Sequence, residues 1–167
     1  MVVVTTAKVS EMTKTTDFDV FYGSEHAPLY RALAMTLGDS DLAAEAIDEA
    51  MVRAYQRWAV VSRYDNPAGW VYRVALNWAI SRLRLRRRTL PPVQAAADEL
   101  RLPDPVLAEA VKRLSTSHRA VVVLRFHLDW SLEQIAAALG VPVGTVKSRL
   151  HRALSSLRET LGGDHES

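Results

Sequence analysis

Apolar side chains recur along this chain at intervals of three and four, with polar positions between them. Ile47, Met51, Ala54 and Tyr55 make one such stripe, Val71, Val74, Ala75 and Trp78 a second, and Val146, Leu150, Ala153, Leu157 and Leu161 a third. That period predicts amphipathic helices with one face turned inward. Alternation with period two is rare, and no Asn-Gly or Asp-Gly pair is present to close a hairpin. The run AVVVLRF at 120–126 has strand propensity, but helical periods flank it on both sides, so helix is expected there too. The predicted fold class is therefore all-α.

The helices fall into two groups. Between them TLPPVQAAADELRLPDP, residues 89–105, holds four prolines, which break helices at both ends. The expected organisation is a mobile tail at 1–16, a helical domain at 17–88, a Pro-rich linker at 89–103, a second helical domain at 104–162 and a short tail at 163–167. Each domain is near the size at which a lone core is marginal, so each is expected to lean on a partner.

The clearest local signal lies in the second domain. Ser131 and Gln134 form a capping box, a hydroxyl at the N-cap and an amide three residues on. The short helix LEQIAAAL follows, Gly140 suits its left-handed C-terminal position, and Pro142 fits the first turn of another helix. Helix, tight turn and helix make a helix-turn-helix. On another face of its second helix, Thr145, Ser148, Arg149 and Arg152 form a row flanked by Lys147 and His151. A second helix of this kind enters the major groove of duplex DNA, where arginine bonds guanine and Lys, Ser and Thr reach phosphates or base edges. Gly144 permits a close backbone approach.

Charge adds two further surfaces. Residues 17–65 carry nine acids against four bases, 66–97 six arginines and no acid, and 134–158 four bases and no acid. Such blocks imply one basic and one anionic partner. Within the first block Glu45, Asp48 and Glu49 share a helix face. No histidine lies within helical reach of them, so a protein surface with basic residues is the expected partner rather than a metal. Within the second block Trp70, Arg73 and Asn77 line up at i, i+3 and i+7, and Arg82, Arg84, Arg86, Arg87 and Arg88 follow. Aromatics on which bases stack, with arginines to hold the backbone, are what single-stranded DNA requires. Trp78 belongs to the buried face.

These motifs together resemble a known family. LEQIAAALGVPVGTVKSRLHRALSSLR looks like region 4 of the sigma factors of bacterial RNA polymerase, of the extracytoplasmic-function (ECF) type, in which GTVKSR followed by a basic residue is close to a signature. NPAGWVYRVALNWAISRLRLRRR is similar to regions 2.3 and 2.4, often WLYRIAVN, and AEAIDEAMVRAYQRW to region 2.2, often AEDLVQETFLRAW; Ala46 and Asp48 depart from it. The loop SRYDNPAG matches the family's specificity loop in position. The resemblance implies that Lys147, Ser148, Arg149, His151 and Arg152 face the −35 element. It implies that Asn77 sits where a flipped −10 base is read, and Trp70 and Arg73 where the duplex melts. Glu45 and Glu49 match acidic positions of the helix that clamps a β′ coiled coil. The implied partners are core RNA polymerase (β′ coiled coil and β flap), promoter DNA and an anti-sigma protein, with no cofactor and no metal.

Other classes fit less of the chain. A stand-alone helix-turn-helix regulator explains residues 131–158 but leaves the acidic helix and the Trp70–Arg73–Asn77 row unused. An enzyme finds no phosphate-cradling glycine loop, no H-E-x-x-H and only scattered histidines. The absence of cysteine excludes disulfides, thiolate metal sites and cysteine nucleophiles. No apolar run nears the ~20 residues of a membrane span, and the N-terminus lacks a signal-peptide core, so a cytoplasmic location is expected.

Overall fold

The computed structural model describes residues 2–89 and 102–163, with no strand among them. The linker expected at 89–103 thus lies largely outside the described residues. Among the described residues eight helices follow one another: α1 (Val2–Leu37), α2 (Ser40–Gln56), α3 (Trp58–Val61), α4 (Pro67–Thr89), α5 (Pro105–Arg113), α6 (Thr116–Phe126), α7 (Leu132–Leu139) and α8 (Val143–Gly163).

Their ends are fixed by short polar side chains. The Asp39 carboxylate accepts from the Leu42 amide at 2.9 Å and Asp104 from Val106 at 2.9 Å. Asn66 caps α4 by accepting from the Gly69 amide at 2.9 Å. The Ser131–Gln134 capping box is present in both directions, at 3.1 and 2.9 Å. Gly140 closes α7 with φ 65°, a left-handed angle that glycine takes without strain. The run at 120–126 is helical: Thr116–Phe126 buries Val121 to Leu124, so its β-branched residues serve as core.

Helices α1, α2 and α4 form the first bundle. Leu29, Ala32 and Leu33 of α1 meet Leu42, Ala46, Ile47, Ala50 and Met51 of α2, and Val71, Tyr72, Ala75 and Ala79 of α4 close the triangle. Ala43, Ala46, Ala50 and Ala54 on α2 are fully buried and let the neighbouring helices come close. Tyr55, expected inside, is 39% exposed and presents its ring edge to Phe18 at 5.1 Å. Residues 2–16, expected as a mobile tail, are helical and continuous with α1. Thr6 to Thr13 are exposed, and Lys14 lies 5.1 Å above the Tyr55 ring.

Helices α5 to α8 form the second bundle. Ala108, Val111, Leu114, Val122, Ala153 and Leu157 make its own small core. Its other apolar face is shared: Val121, Leu124, Ile135 and Val146 belong to one continuous buried cluster with Leu33 and Tyr72 of the first bundle. The two halves pack against one another, with α6 against α1 and α7 against α4.

Two polar arrangements sit at this junction. The Thr36 hydroxyl donates to the Ala32 carbonyl at 2.9 Å, so the 2.7 Å contact with Tyr72 is a bond donated by the phenol. Burial pushes the Tyr72 phenol well above its ordinary value, against a smaller lowering by Thr36. The second arrangement is Arg119 of α6. Its guanidinium bonds the carbonyls of Val111, Lys112 and Leu114 at the end of α5, and that of Thr36 at the end of α1 (3.1 Å). Helix α1 has no basic residue in its own last turn. The cation that complements its C-terminal dipole comes from the other bundle. Desolvation lowers the pKa of Arg119.

Candidate nucleic-acid and partner interfaces

The three sequence-predicted surfaces lie on three different helices, and each is held by a different piece of packing. On α8, Val146, Ala153 and Leu157 are buried and Leu150 and Leu161 half-buried, which fixes the rotation of the helix. Lys147, Ser148, His151 and Arg152 are then exposed, and Thr145 and Arg149 half-buried beside them. The Ser148 hydroxyl is turned back to the Thr145 carbonyl at 3.1 Å. Among the described residues no carboxylate pairs with Lys147, Arg149 or Arg152, so their charge is available to an external anion. A Cβ added at Gly144 would meet nothing within 4 Å, so the backbone there is open to an approaching surface.

On α4 the buried face is Val71, Tyr72, Ala75, Leu76 and Ala79. Trp78 is half-buried, and the Arg82 guanidinium lies over its ring at 5.2 Å. Trp70 is half-buried, while Arg73 and Asn77 are exposed with Arg82, Arg84, Arg86, Arg87 and Arg88. Arg86, Arg87 and Arg88 also occupy the last turn, where cations complement the dipole.

The structure adds individual residues of the loop SRYDNPAG, which the sequence reading matches only by position, to this site. A cavity of about 530 Å³ opens beside Trp70 and Arg73, lined on that side also by Arg63, Tyr64, Asp65, Asn66 and Gly69. The aromatic and cationic residues thus come from the loop before α4 as well as from α4 itself. The sequence signal was the Arg-Tyr pair just ahead of the helix cap. The Asn66 amide nitrogen is buried with no partner, because its oxygen is committed to the cap. The opposite wall is Glu133, Gln134, Ala137 and Ala138 of α7.

On α2, Glu45, Asp48 and Glu49 share one face, as their spacing predicts, but they are not equally free. His26 of α1 lies 3.2 Å from Asp48, and Arg53 bonds Glu49 at 2.8 Å. Among the described residues Glu45 has no such partner. These are surface pairs, each contributing about 0–1 kcal/mol, so a basic partner can displace them. No group of three or more metal-ligating side chains occurs among the described residues. No helix among them is long and apolar enough to cross a membrane.

The chain matches known proteins over both bundles. The family model for Sigma-70 region 2 covers residues 21–89 and that for Sigma-70, region 4 covers residues 110–159. It is 36% identical over 152 residues to the ECF RNA polymerase sigma factor SigL of Mycobacterium tuberculosis, spanning 84% of this chain and 86% of the relative. It is 31% identical over 157 residues to the RNA polymerase sigma-E factor of Streptomyces coelicolor, spanning 90% of this chain and 89% of that protein. Among solved structures, the sigma factor RpoE of Bartonella quintana, crystallised with the anti-sigma factor NepR, shares the fold. Its TM-score is 0.72 at 23% identity, covering 89% of this chain and 99% of that one.

Proposed function

This chain belongs to the extracytoplasmic-function sigma factors, the promoter-recognition subunits of bacterial RNA polymerase, and from that premise we propose how its three surfaces divide the work. The acidic face of α2, with Glu45, Asp48 and Glu49, docks on the basic coiled coil of the polymerase β′ subunit, and the second bundle meets the β flap. The cavity side of α4, with Trp70, Arg73 and Asn77, takes up bases of the melted −10 element. Arg82, Arg84, Arg86, Arg87 and Arg88 hold the strand's phosphates. The α8 row of Thr145, Lys147, Ser148, Arg149, His151 and Arg152 reads the −35 duplex. The chain supplies specificity and no bond-breaking chemistry, and it works in the cytoplasm, where polymerase is.

Melting costs stacking energy, which stacking of a freed base on Trp70 and Tyr64 offsets by about 1–3 kcal/mol per base. The two DNA contacts are individually weak and gain from being tethered, since each raises the local concentration of the other. The observation that carries this reading is the pairing of two DNA-directed surfaces, one aromatic and cationic, the other basic and free of carboxylates, with an acidic face, all in one chain. A stand-alone regulator has no use for the first bundle. A partner of the anti-sigma class, such as the NepR bound to the RpoE neighbour, is the expected brake.

Run-off transcription with purified core polymerase on a genomic fragment library, with and without the chain, tests the proposal. Start sites that depend on the chain, and vanish when Arg73 and Arg152 are replaced together, are expected. Start sites unaffected by that replacement overturn the assignment of the surfaces.

A further inference from the structure

The arginines that crowd the end of α4 do not share one face. A helix brings residues ~11 apart back to the same side, three turns on. Arg84 and Arg88 therefore stand three turns beyond Arg73 and Asn77, on the side proposed for the single strand. Arg82 and Arg86 stand three turns beyond Val71 and Ala75, which are buried in the first bundle. Both arginines are exposed all the same, because the bundle ends first. Ala79 is the last buried residue of α4, and the helix runs on from there to Thr89, about 15 Å. Where the buried stripe would continue, the chain carries cations instead.

Trp78 sits at that change. Its ring is half-buried, and the Arg82 guanidinium lies over it at 5.2 Å. The contact restrains a long side chain and still leaves its N–H fork for an anion. Among the described residues no carboxylate pairs with Arg82, Arg84, Arg86, Arg87 or Arg88. Arg82 with Arg86, and Arg84 with Arg88, are like charges at i,i+4, which destabilise a helix. The helix dipole favours cations in the last turn but does not reach back to Arg82. An external anion on each side of α4 relieves that repulsion. A single strand lies along one side only. Duplex DNA supplies both sides: its major groove is about 12 Å wide, a helix with its side chains about 10–12 Å across, and the two walls of the groove are the two phosphate backbones.

We propose that the projecting end of α4 lies between the two backbones of the duplex adjoining the melted segment. Arg84 and Arg88 hold the strand that Trp70 takes up, Arg82 and Arg86 hold its complement, and Trp78 is the positioning residue that sets Arg82. This division of the arginines rests on the sigma-factor reading.

Holoenzyme bound to a forked promoter probe tests it. Single phosphates in the duplex beside the fork are made neutral as methylphosphonates, one linkage and one strand at a time. Wild type is expected to lose affinity at linkages in both strands. Arg82→Gln is expected to ignore the linkage that matters in the complementary strand, and Arg84→Gln one in the strand that melts. Each lowers the slope of log affinity against log salt by about one. Trp78→Leu is expected to weaken binding about two- to five-fold and to move the slope toward that of Arg82→Gln. It should add nothing in the Arg82→Gln background, and Trp78→Phe should restore the slope. The slope reports contacts per bound molecule and not the folded fraction, so a packing defect alone leaves it unchanged.

Arg82→Gln and Arg84→Gln that respond to the same strand overturn the two-sided grip, and so does a wild type that binds but ignores every linkage in the complement. Arg82 is exposed, so this part is decided whatever Trp78→Leu does to folding. An unchanged slope in Trp78→Leu, or a Trp78→Phe that restores nothing, overturns the positioning role. Arg82→Gln that loses co-elution with polymerase in place of any change on DNA assigns this side to an acidic protein surface and overturns the proposal. Wild-type holoenzyme that binds no forked probe sinks the functional reading, and the proposal with it.

Discussion

Replacing Thr36 by valine removes the one acceptor that the buried Tyr72 phenol has among the described residues, and replacing Tyr72 by phenylalanine removes the same hydrogen bond from its other end. The two changes are not equivalent. Thr36 donates to the Ala32 carbonyl at 2.9 Å, so its hydroxyl keeps a partner when the phenol is gone. Tyr72 is fully buried and donates to Thr36 at 2.7 Å, so without that oxygen its O–H is left dry and unpaired. A net hydrogen bond contributes about 0.5–1.5 kcal/mol, whereas stranding a buried donor costs about 1–3 kcal/mol. Tyr72→Phe is therefore expected near the lower figure and Thr36→Val near the higher. The double variant should cost less than Thr36→Val alone, because an apolar pair strands nothing. Urea unfolding followed by helix signal measures all three. A phenylalanine variant at least as destabilised as the valine variant, or strictly additive costs in the double, refutes the direction assigned to this bond and the view that Thr36 is the phenol's sole partner.

Other outcomes follow from the same packing and surfaces. Burial raises the Tyr72 pKa in the folded chain above the 10.0 of an exposed phenol. The folded state then holds its proton where the unfolded state loses it, so wild-type stability is complete below pH 10 and falls as pH rises above it. Tyr72→Phe should flatten that slope in alkaline urea titrations, and an unchanged slope counts against the assignment. Arg152→Ala should weaken promoter binding by the holoenzyme by about 1–3 kcal/mol, if its contact is to a guanine edge, and filter binding showing no loss refutes that contact. Trp70→Ala should leave duplex −35 binding intact and weaken binding to a forked, single-stranded −10 probe by about 1–3 kcal/mol. Equal losses on both probes contradict the division of labour between α4 and α8.

Much of this molecule is local in origin and so readable in its sequence. The Ser131–Gln134 box, Gly140 and Pro142 act within a few residues of themselves, and they place α7 and α8 without reference to the rest of the fold. The stripe Val146–Ala153–Leu157 sets which side of α8 faces water, so the basic row follows from spacing alone. What escaped the sequence depends on contacts between distant segments. Leu124 and Ile135 have the pattern of a domain's own core, and nothing in that pattern says that their neighbours are Leu33 and Tyr72. Arg119 looks like any helix-surface cation until the ends of α1 and α5 are brought to it. Glu133 reads only as an acid in a first turn, where it is favoured anyway, and its place on the cavity rim comes from the docking of α7 on α4. Asp48 and Glu49 share a face as expected, and the Arg53–Glu49 pair is a local i,i+4 contact, but the engagement of Asp48 by His26 required the α1–α2 packing to be seen. At Tyr55 the period pointed inward, but the ring meets Phe18 in a T-shaped contact and keeps part of its surface in solvent.

The most direct measurement mixes the purified chain with core polymerase that lacks any specificity subunit and follows both co-elution and initiation on promoter-containing DNA. A stable one-to-one complex that starts transcription at discrete sites, weakened when Glu45 is replaced by lysine, is the expected result. Polymerase and chain that elute apart, with no start site appearing, contradict the assignment of this molecule's surfaces at its root.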